Sequence, residues 1–272
     1  MSFRAPRFSY KHAFRDVPVG NTILGTGSAD ADFPLANAFD DRATLKFALS
    51  SAGALELETD LGSDFATSGL DAFDRIIIAA GHNIDETMTV QQDTTSTFPS
   101  VTNLLVLSSP VAGAQIDVGL VISSEQFIRI KVGNALTAWE LHEAFITNTM
   151  TLTRGPDLRS AVDETRHNFT RLVQPAGASP TIENGSAQRY MELEYRDIQG
   201  ADLTAMEAFV AWVGMDKSFY VDPVSFSATP ATDDPPILMK FDQPVRVTNE
   251  LTVPTTGVDS KHYRLFLIES LD

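Results

Sequence analysis

Leu55-Glu-Leu-Glu-Thr-Asp-Leu-Gly62 alternates apolar and polar side chains and is closed by a glycine. In an extended chain successive side chains point to opposite faces, so this segment has one apolar face that a second layer must cover. A polar turn, Pro34-Leu-Ala-Asn-Ala-Phe-Asp-Asp-Arg-Ala-Thr44, precedes it, and together they read as the entry of a β-sandwich. Gln126-Phe-Ile-Arg-Ile-Lys-Val132 alternates again, Arg75-Ile-Ile-Ile-Ala-Ala80 is rich in β-branched residues and stops at Gly81, and Val101-Thr-Asn-Leu-Leu-Val-Leu107 and Trp139-Glu-Leu-His-Glu-Ala-Phe-Ile-Thr147 are further strand candidates. Short strands at regular spacing, with no strong helical period among them, predict a sandwich or barrel.

The Gly-Pro step in Thr153-Arg-Gly-Pro-Asp157 breaks this pattern and marks a domain junction. Beyond it, strands are expected at Phe169–Gln174, Gln188–Arg196, Ser218–Val221, Ile237–Phe241, Val245–Val247 and Tyr263–Ile268, with a loop at Thr229–Pro236. One helix is expected over 202–213. Asp202 would cap it, Leu203, Met206, Phe209, Val210 and Val213 share one face, and Gly214 stands where a positive φ ends a helix. The fold expectation is mainly β: an N-terminal jelly-roll β-sandwich over 21–150, followed over 151–272 by a β-sheet domain with one packed α-helix. Residues 1–20, which set Phe3, Phe8, Tyr10 and Phe14 among Arg4, Arg7, Lys11 and Arg15, read as a basic aromatic arm that docks on a neighbouring subunit, or as a first strand of their own domain.

Bulk properties exclude several functions. A formal net charge of -16 argues against nucleic acid and against an anionic membrane surface, since both need clustered Lys and Arg. The absence of cysteine removes disulfides, thiolate nucleophiles and Cys-ligated zinc, and fits folding in a reducing cytoplasm. No apolar run is long enough for a transmembrane helix, and the N-terminus lacks the apolar core of a secretory signal, so no membrane insertion is expected.

Catalytic signatures are equally scarce. His12, His82, His142, His167 and His262 form no metal-binding spacing and read as ordinary histidines. Gly25-Thr-Gly-Ser28 lacks the lysine of a phosphate loop and reads as a hairpin or plain loop, and no serine sits in a nucleophile elbow. Glu56 with Glu58, and Glu192 with Glu194, each share a strand face. That spacing would serve glycoside cleavage only in a cleft, and a solvated face is the simpler reading. Trp139, Trp212, Tyr190, Tyr195, Phe219 and Tyr220 read as core or subunit contacts before sugar platforms.

The order Asn37-Ala-Phe-Asp-Asp41, Thr44, Phe47 and Leu55–Gly62 resembles the discoidin, or coagulation factor 5/8 C-terminal, domain, a galactose-binding-like jelly roll. The resemblance runs from residue 25 to residue 147, through Asp74-Arg-Ile-Ile-Ile78, Gln126-Phe-Ile-Arg-Ile130 and the closing Glu140-Leu-His-Glu-Ala-Phe-Ile146. Phe47 stands where that family usually has Trp, and its terminal disulfide pair is missing. The resemblance implies glycan or lipid-headgroup binding through end loops, here near Asp40, Asp41, Arg42 and His82. It also implies a calcium ion at the Ala-Phe-Asp turn, held by Asp40. Apart from that calcium no cofactor is expected.

A second resemblance covers the whole chain. The jelly roll followed by Leu152-Thr-Arg-Gly-Pro156, then Leu203–Val213 and Phe219-Tyr-Val-Asp-Pro223, looks like siphophage tail-tip and baseplate proteins of the distal-tail type. It implies a structural, non-enzymatic subunit of the virion, assembled in the host cytoplasm. Such a subunit would form a homo-oligomeric ring with other tail proteins, using Arg4, Arg7, Phe8 and Tyr10 as contacts. The alternative expectation is a carbohydrate-binding module for host surface glycans, with or without calcium.

Overall fold

The computed structural model describes residues 6–16, 23–40, 45–62, 73–121, 125–133, 137–157, 162–171, 182–222, 235–250 and 260–270. It is mainly β, with a jelly-roll β-sandwich in the first half and a β-sheet domain carrying one packed helix in the second. By its internal contacts the chain divides between Met150 and Thr151, and each unit is described by itself.

The first unit contains β1 (Arg7–His12), β2 (Ile23–Thr26), β3 (Phe47–Ala48), β4 (Leu55–Asp60), β5 (Arg75–Ile78), β6 (Met88–Asp93), β7 (Thr102–Leu107), β8 (Ile116–Gly119), β9 (Phe127–Val132), β10 (Glu140–Leu141) and β11 (Ala144–Thr151). One layer follows the order β2-β4-β9-β6-β7 and the other β1-β11-β5-β8, while β3 and β10 form a separate small pair. The alternation in Leu55–Asp60 does what it predicts: Leu55 and Leu57 are fully buried, and Glu56 and Glu58 lie on the other face. Ile128, Ile130 and Val132 on β9 repeat the pattern in register, opposite Thr59, Leu57 and Leu55. Each such buried Ile or Leu stabilises the fold by roughly 1.5–3 kcal/mol.

Three expectations change here. Within the described part of the expected arm, Arg7–His12 is strand β1 and Phe8 and Tyr10 are buried, which fits the first-strand reading of that segment; residues 1–5 and 17–20 lie outside the described residues. Arg7 is only one-third exposed and lies 4.0 Å from Asp117, while Arg4 lies outside the described residues. The expected strand at Trp139–Thr147 is two strands, β10 and β11, broken at His142-Glu143. Strands β6 and β8 were not expected. β8, Ile-Asp-Val-Gly, is short and half-polar, and it is a strand because β5 supplies its partner.

The second unit contains β12 (Val162–Arg171), β13 (Ile182–Ile198), α1 (Gly200–Val213), β14 (Phe219–Val221), β15 (Ile237–Phe241), β16 (Arg246–Glu250) and β17 (Ser260–Glu269), in the order β12-β13-β17-β15-β14. β17 is long enough to pair β16 along its first half and β15 along its end. The helix is held by aromatic contacts, with the Phe209 ring 5.0 Å from Phe219 and 5.8 Å from Phe241. Met206, Phe209 and Val213 are buried, while Leu203 and Val210 are only partly so. Gly214 ends the helix at φ +60°, as its position predicts. Asp202 does not cap it: the N-cap is Gln199, and the Asp202 carboxylate instead accepts the Thr153 backbone N–H at 3.1 Å. The Thr229–Pro236 loop falls almost wholly outside the described residues. Among those described, no helix is long and apolar enough to cross a membrane.

Candidate ligand-binding groove

Two segments separated by a stretch of chain meet in an open groove of about 440 Å³, lined by Phe14, Arg15, Leu35, Ala36, Phe39 and Asp40. One wall comes from the turn that follows β1. The His12 carbonyl accepts the Arg15 and Asp16 N–H groups at 3.3 and 2.9 Å, and the Asp16 carboxylate accepts the His12 N–H at 3.1 Å. Asp16 also holds the Arg15 guanidinium with two bonds, from Nε at 3.0 Å and from one terminal nitrogen at 2.9 Å. Burial alone would raise the Asp16 pKa, but the Arg15 bonds and charge outweigh it and keep the carboxyl below its ordinary value.

The other wall is the Pro34–Asp40 turn. Leu35–Ala38 forms a single 3-10 turn, with Asn37 N–H on the Pro34 carbonyl and Phe39 N–H on the Ala36 carbonyl. The Asn37 side chain donates to the Lys46 carbonyl at 2.8 Å, which ties the turn to the approach of β3. Phe39 then stacks on Phe14 at 4.6 Å with the rings 18° from parallel, and the pair, only 8% and 6% exposed, forms a largely buried aromatic floor.

Beneath that floor lies His12, fully buried among Phe14, Phe39 and Phe145. Its Nδ1 accepts the Phe14 N–H at 3.1 Å, and its Nε2 lies 3.4 Å from Oε1 of the equally buried Glu143. Burial first, then the Arg15 charge, hold the His12 pKa well below the ordinary histidine value, against the opposing effects of Asp16 and of a hydrogen bond to the Ala144 backbone.

Of the residues expected to bind ligand, Asp40 reaches the groove and His82 does not. His82 is 1% exposed; Nε2 bonds the Ala114 carbonyl at 2.6 Å and Nδ1 accepts the Ile84 N–H, so both ring nitrogens are committed to the fold. Asp41 and Arg42 lie outside the described residues. Among the described residues no group of three His, Asp or Glu side chains gathers, and Asp41, the second carboxylate of the calcium expectation, lies outside them. The paired carboxylates are not simply solvated. Glu56 meets Lys131 at 2.7 Å, Glu58 approaches Arg129, Glu192 pairs with Arg264, and Glu194 meets Arg196 and His262 at 2.7 and 2.8 Å. Trp139 is fully buried, donating to the Gly133 carbonyl.

Phe14, Arg15, Leu35, Ala36 and Phe39 were not expected as site residues. Nothing local marks them, because the groove exists only once the turn after β1 is set beside the turn before β3.

No protein-family model matches the chain, and no curated protein does. Among solved structures the chain is similar to chitosan-binding module 1 of a chitosanase/glucanase from Paenibacillus sp. IK-5, at 17% identity over 48% of this chain and 94% of that one, with a TM-score of 0.38. It is also similar to CBM32 of AlyQ in complex with 4,5-unsaturated mannuronic acid, at 16% identity over 52% and 98% of the two chains, with a TM-score of 0.36. A third is CBM62 from Clostridium thermocellum Xyl5A, at 15% identity over 47% and 98%, with a TM-score of 0.32.

Proposed function

We propose that the Arg7–Met150 unit is a carbohydrate-binding module whose sugar lies in the groove between Phe14 and Asp40. The observation that carries this reading is the meeting, in one open groove, of a stacked aromatic floor with a clamped guanidinium and a carboxylate at its walls. A pyranose has an apolar C–H face and a rim of hydroxyls. Aromatic rings take the first, and charged groups with fixed geometry take the second. The groove volume falls in the range of small-ligand sites, about 300–1,000 Å³. In this reading the module binds without turnover, with or without calcium.

The test is binding to a glycan array with and without chelator, repeated with Asp40→Ala. Losing a hydrogen bond to a charged group costs about 1.5–3 kcal/mol, so affinity should fall at least about tenfold. Unchanged affinity in that variant, or no binding to any glycan, would sink the reading. The tail-tip reading rests on the whole-chain resemblance; of the contacts it proposed, Phe8 and Tyr10 are buried.

A further inference from the structure

We infer that His12 is the positioning residue of the groove: its neutral ring, by accepting the Phe14 N–H, holds the Phe14–Arg15 wall in place, and a proton on that ring opens the wall. The consequence for a bound sugar rests on the carbohydrate reading above; the consequence for the wall does not.

The geometry leaves the ring little choice. With Nδ1 accepting from Phe14 at 3.1 Å, the neutral ring carries its one proton on Nε2, toward Glu143. A second proton has only Nδ1 to occupy, where it would face the Phe14 N–H donor to donor. The ring cannot turn away, because Phe145 stands 4.1 Å from its centroid and the edges of Phe14 and Phe39 close the other sides. The strain therefore falls on the Phe14 backbone. Phe14 carries half of the stacked floor, and the next residue is Arg15.

Among the described residues, the charged groups that face this ring come from two places. Arg15 and Asp16 lie on its own turn, the first opposing a proton and the second favouring one, and Glu143 lies between β10 and β11. Phe39 and Phe145 bring no charge from the remaining sides. Full burial decides the balance, so the ring stays neutral, and the wall closed, at neutral pH. If only the neutral form binds, apparent affinity falls about tenfold for each pH unit below the ring's titration point.

The test uses the full chain, labelled for backbone amide and histidine-ring NMR, titrated from about pH 8 to pH 4 across the histidine range. D-galactose, D-mannose and N-acetyl-D-glucosamine serve as probes in parallel. In the wild type, the His12 ring and the Phe14 and Arg15 amides should move in one step below the ordinary histidine value of 6.5, and probe affinity should fall about tenfold per unit through that step. His12→Asn places a non-titrating amide oxygen near the Nδ1 position; it should keep the wall amides at their neutral-pH positions and abolish the step.

A ring that titrates while Phe14 and Arg15 stay still overturns the inference, as does a step that survives in His12→Asn. Should that variant fail to fold, the wild-type titration decides alone. If no probe binds yet the step is present, the inference stands for the wall and the carbohydrate reading falls. A probe that binds with a flat profile through the step overturns the inference and leaves the carbohydrate reading intact.

Discussion

At the scale of single residues, polar groups in unusual places carry the sharpest consequences. Arg75 is 2% exposed, and its guanidinium donates to both Asp117 oxygens at 2.6 and 2.7 Å and to Ser9 Oγ at 3.0 Å. The two partners are not equivalent, because the Asp117 side chain is 27% exposed and water can reach it. Asp117→Ala would strand a buried cation and should cost about 3 kcal/mol, the low end for breaking a buried pair. Arg75→Met would leave a carboxylate that water can solvate and should cost less. Urea unfolding of both variants checks the order, and equal losses would contradict it. Gly81 is constrained in another way: at φ +100°, a Cβ there would stand 2.9 Å from His142 Nε2, so only glycine fits beside that ring without strain.

Among the elements, α1 is the clearest case of tertiary support outweighing local signals. Its N-cap Gln199 makes no side-chain capping bond, and its last turn carries no basic residue. What fixes it is the Phe209, Phe219 and Phe241 cluster against β14 and β15. Phe209→Ala should therefore cost about 3–5 kcal/mol, as truncation of a buried phenylalanine does. Substituting the exposed Glu207, whose carboxylate meets Lys261, should change stability by less than about 1 kcal/mol. Thermal unfolding of the two variants reads this contrast directly.

For the whole molecule, stability should depend on pH through groups whose proton affinity changes on folding. The His12 pKa is depressed in the folded state, so the unfolded chain takes up a proton near 6.5 while the folded ring does not. Stability from this group is complete above that value and declines as pH falls below it, by up to about 1.4 kcal/mol per unit. Asp16, also depressed, adds a second loss below its ordinary value of 3.8. Asp74 and Glu58 are raised by burial and act with the opposite sign, gaining relative stability as pH falls through their range. The difference between wild type and His12→Asn isolates the first limb. Denaturant midpoints from pH 7.5 down to about pH 5 should converge for the two proteins, and parallel profiles would rule out His12 as the source.

The β character, the jelly-roll strands β4, β5, β7 and β9, the one helix and its Gly214 stop were legible because they rest on side-chain period and on backbone sterics, which act between near neighbours. Asp40 was legible as a turn residue of a recognisable opening pattern. The fate of Phe8 and Tyr10 was not: an aromatic, basic segment without a period looks the same whether it docks outward or pairs inside, and only the pairing of β1 with β11 within its own unit decides. His82 was expected in a ligand-binding end loop, and the Ala114 carbonyl and Ile84 N–H close on both its nitrogens instead. The groove belongs to the same class. Its walls are separated by some twenty residues and by different local structures, and no local rule couples them. Sequence alone determined where the chain alternates, turns and stops, because those are properties of neighbours. Which polar groups end up buried, paired or facing a ligand was decided by tertiary contact, because desolvation and hydrogen bonding depend on whatever the fold brings across from elsewhere in the chain.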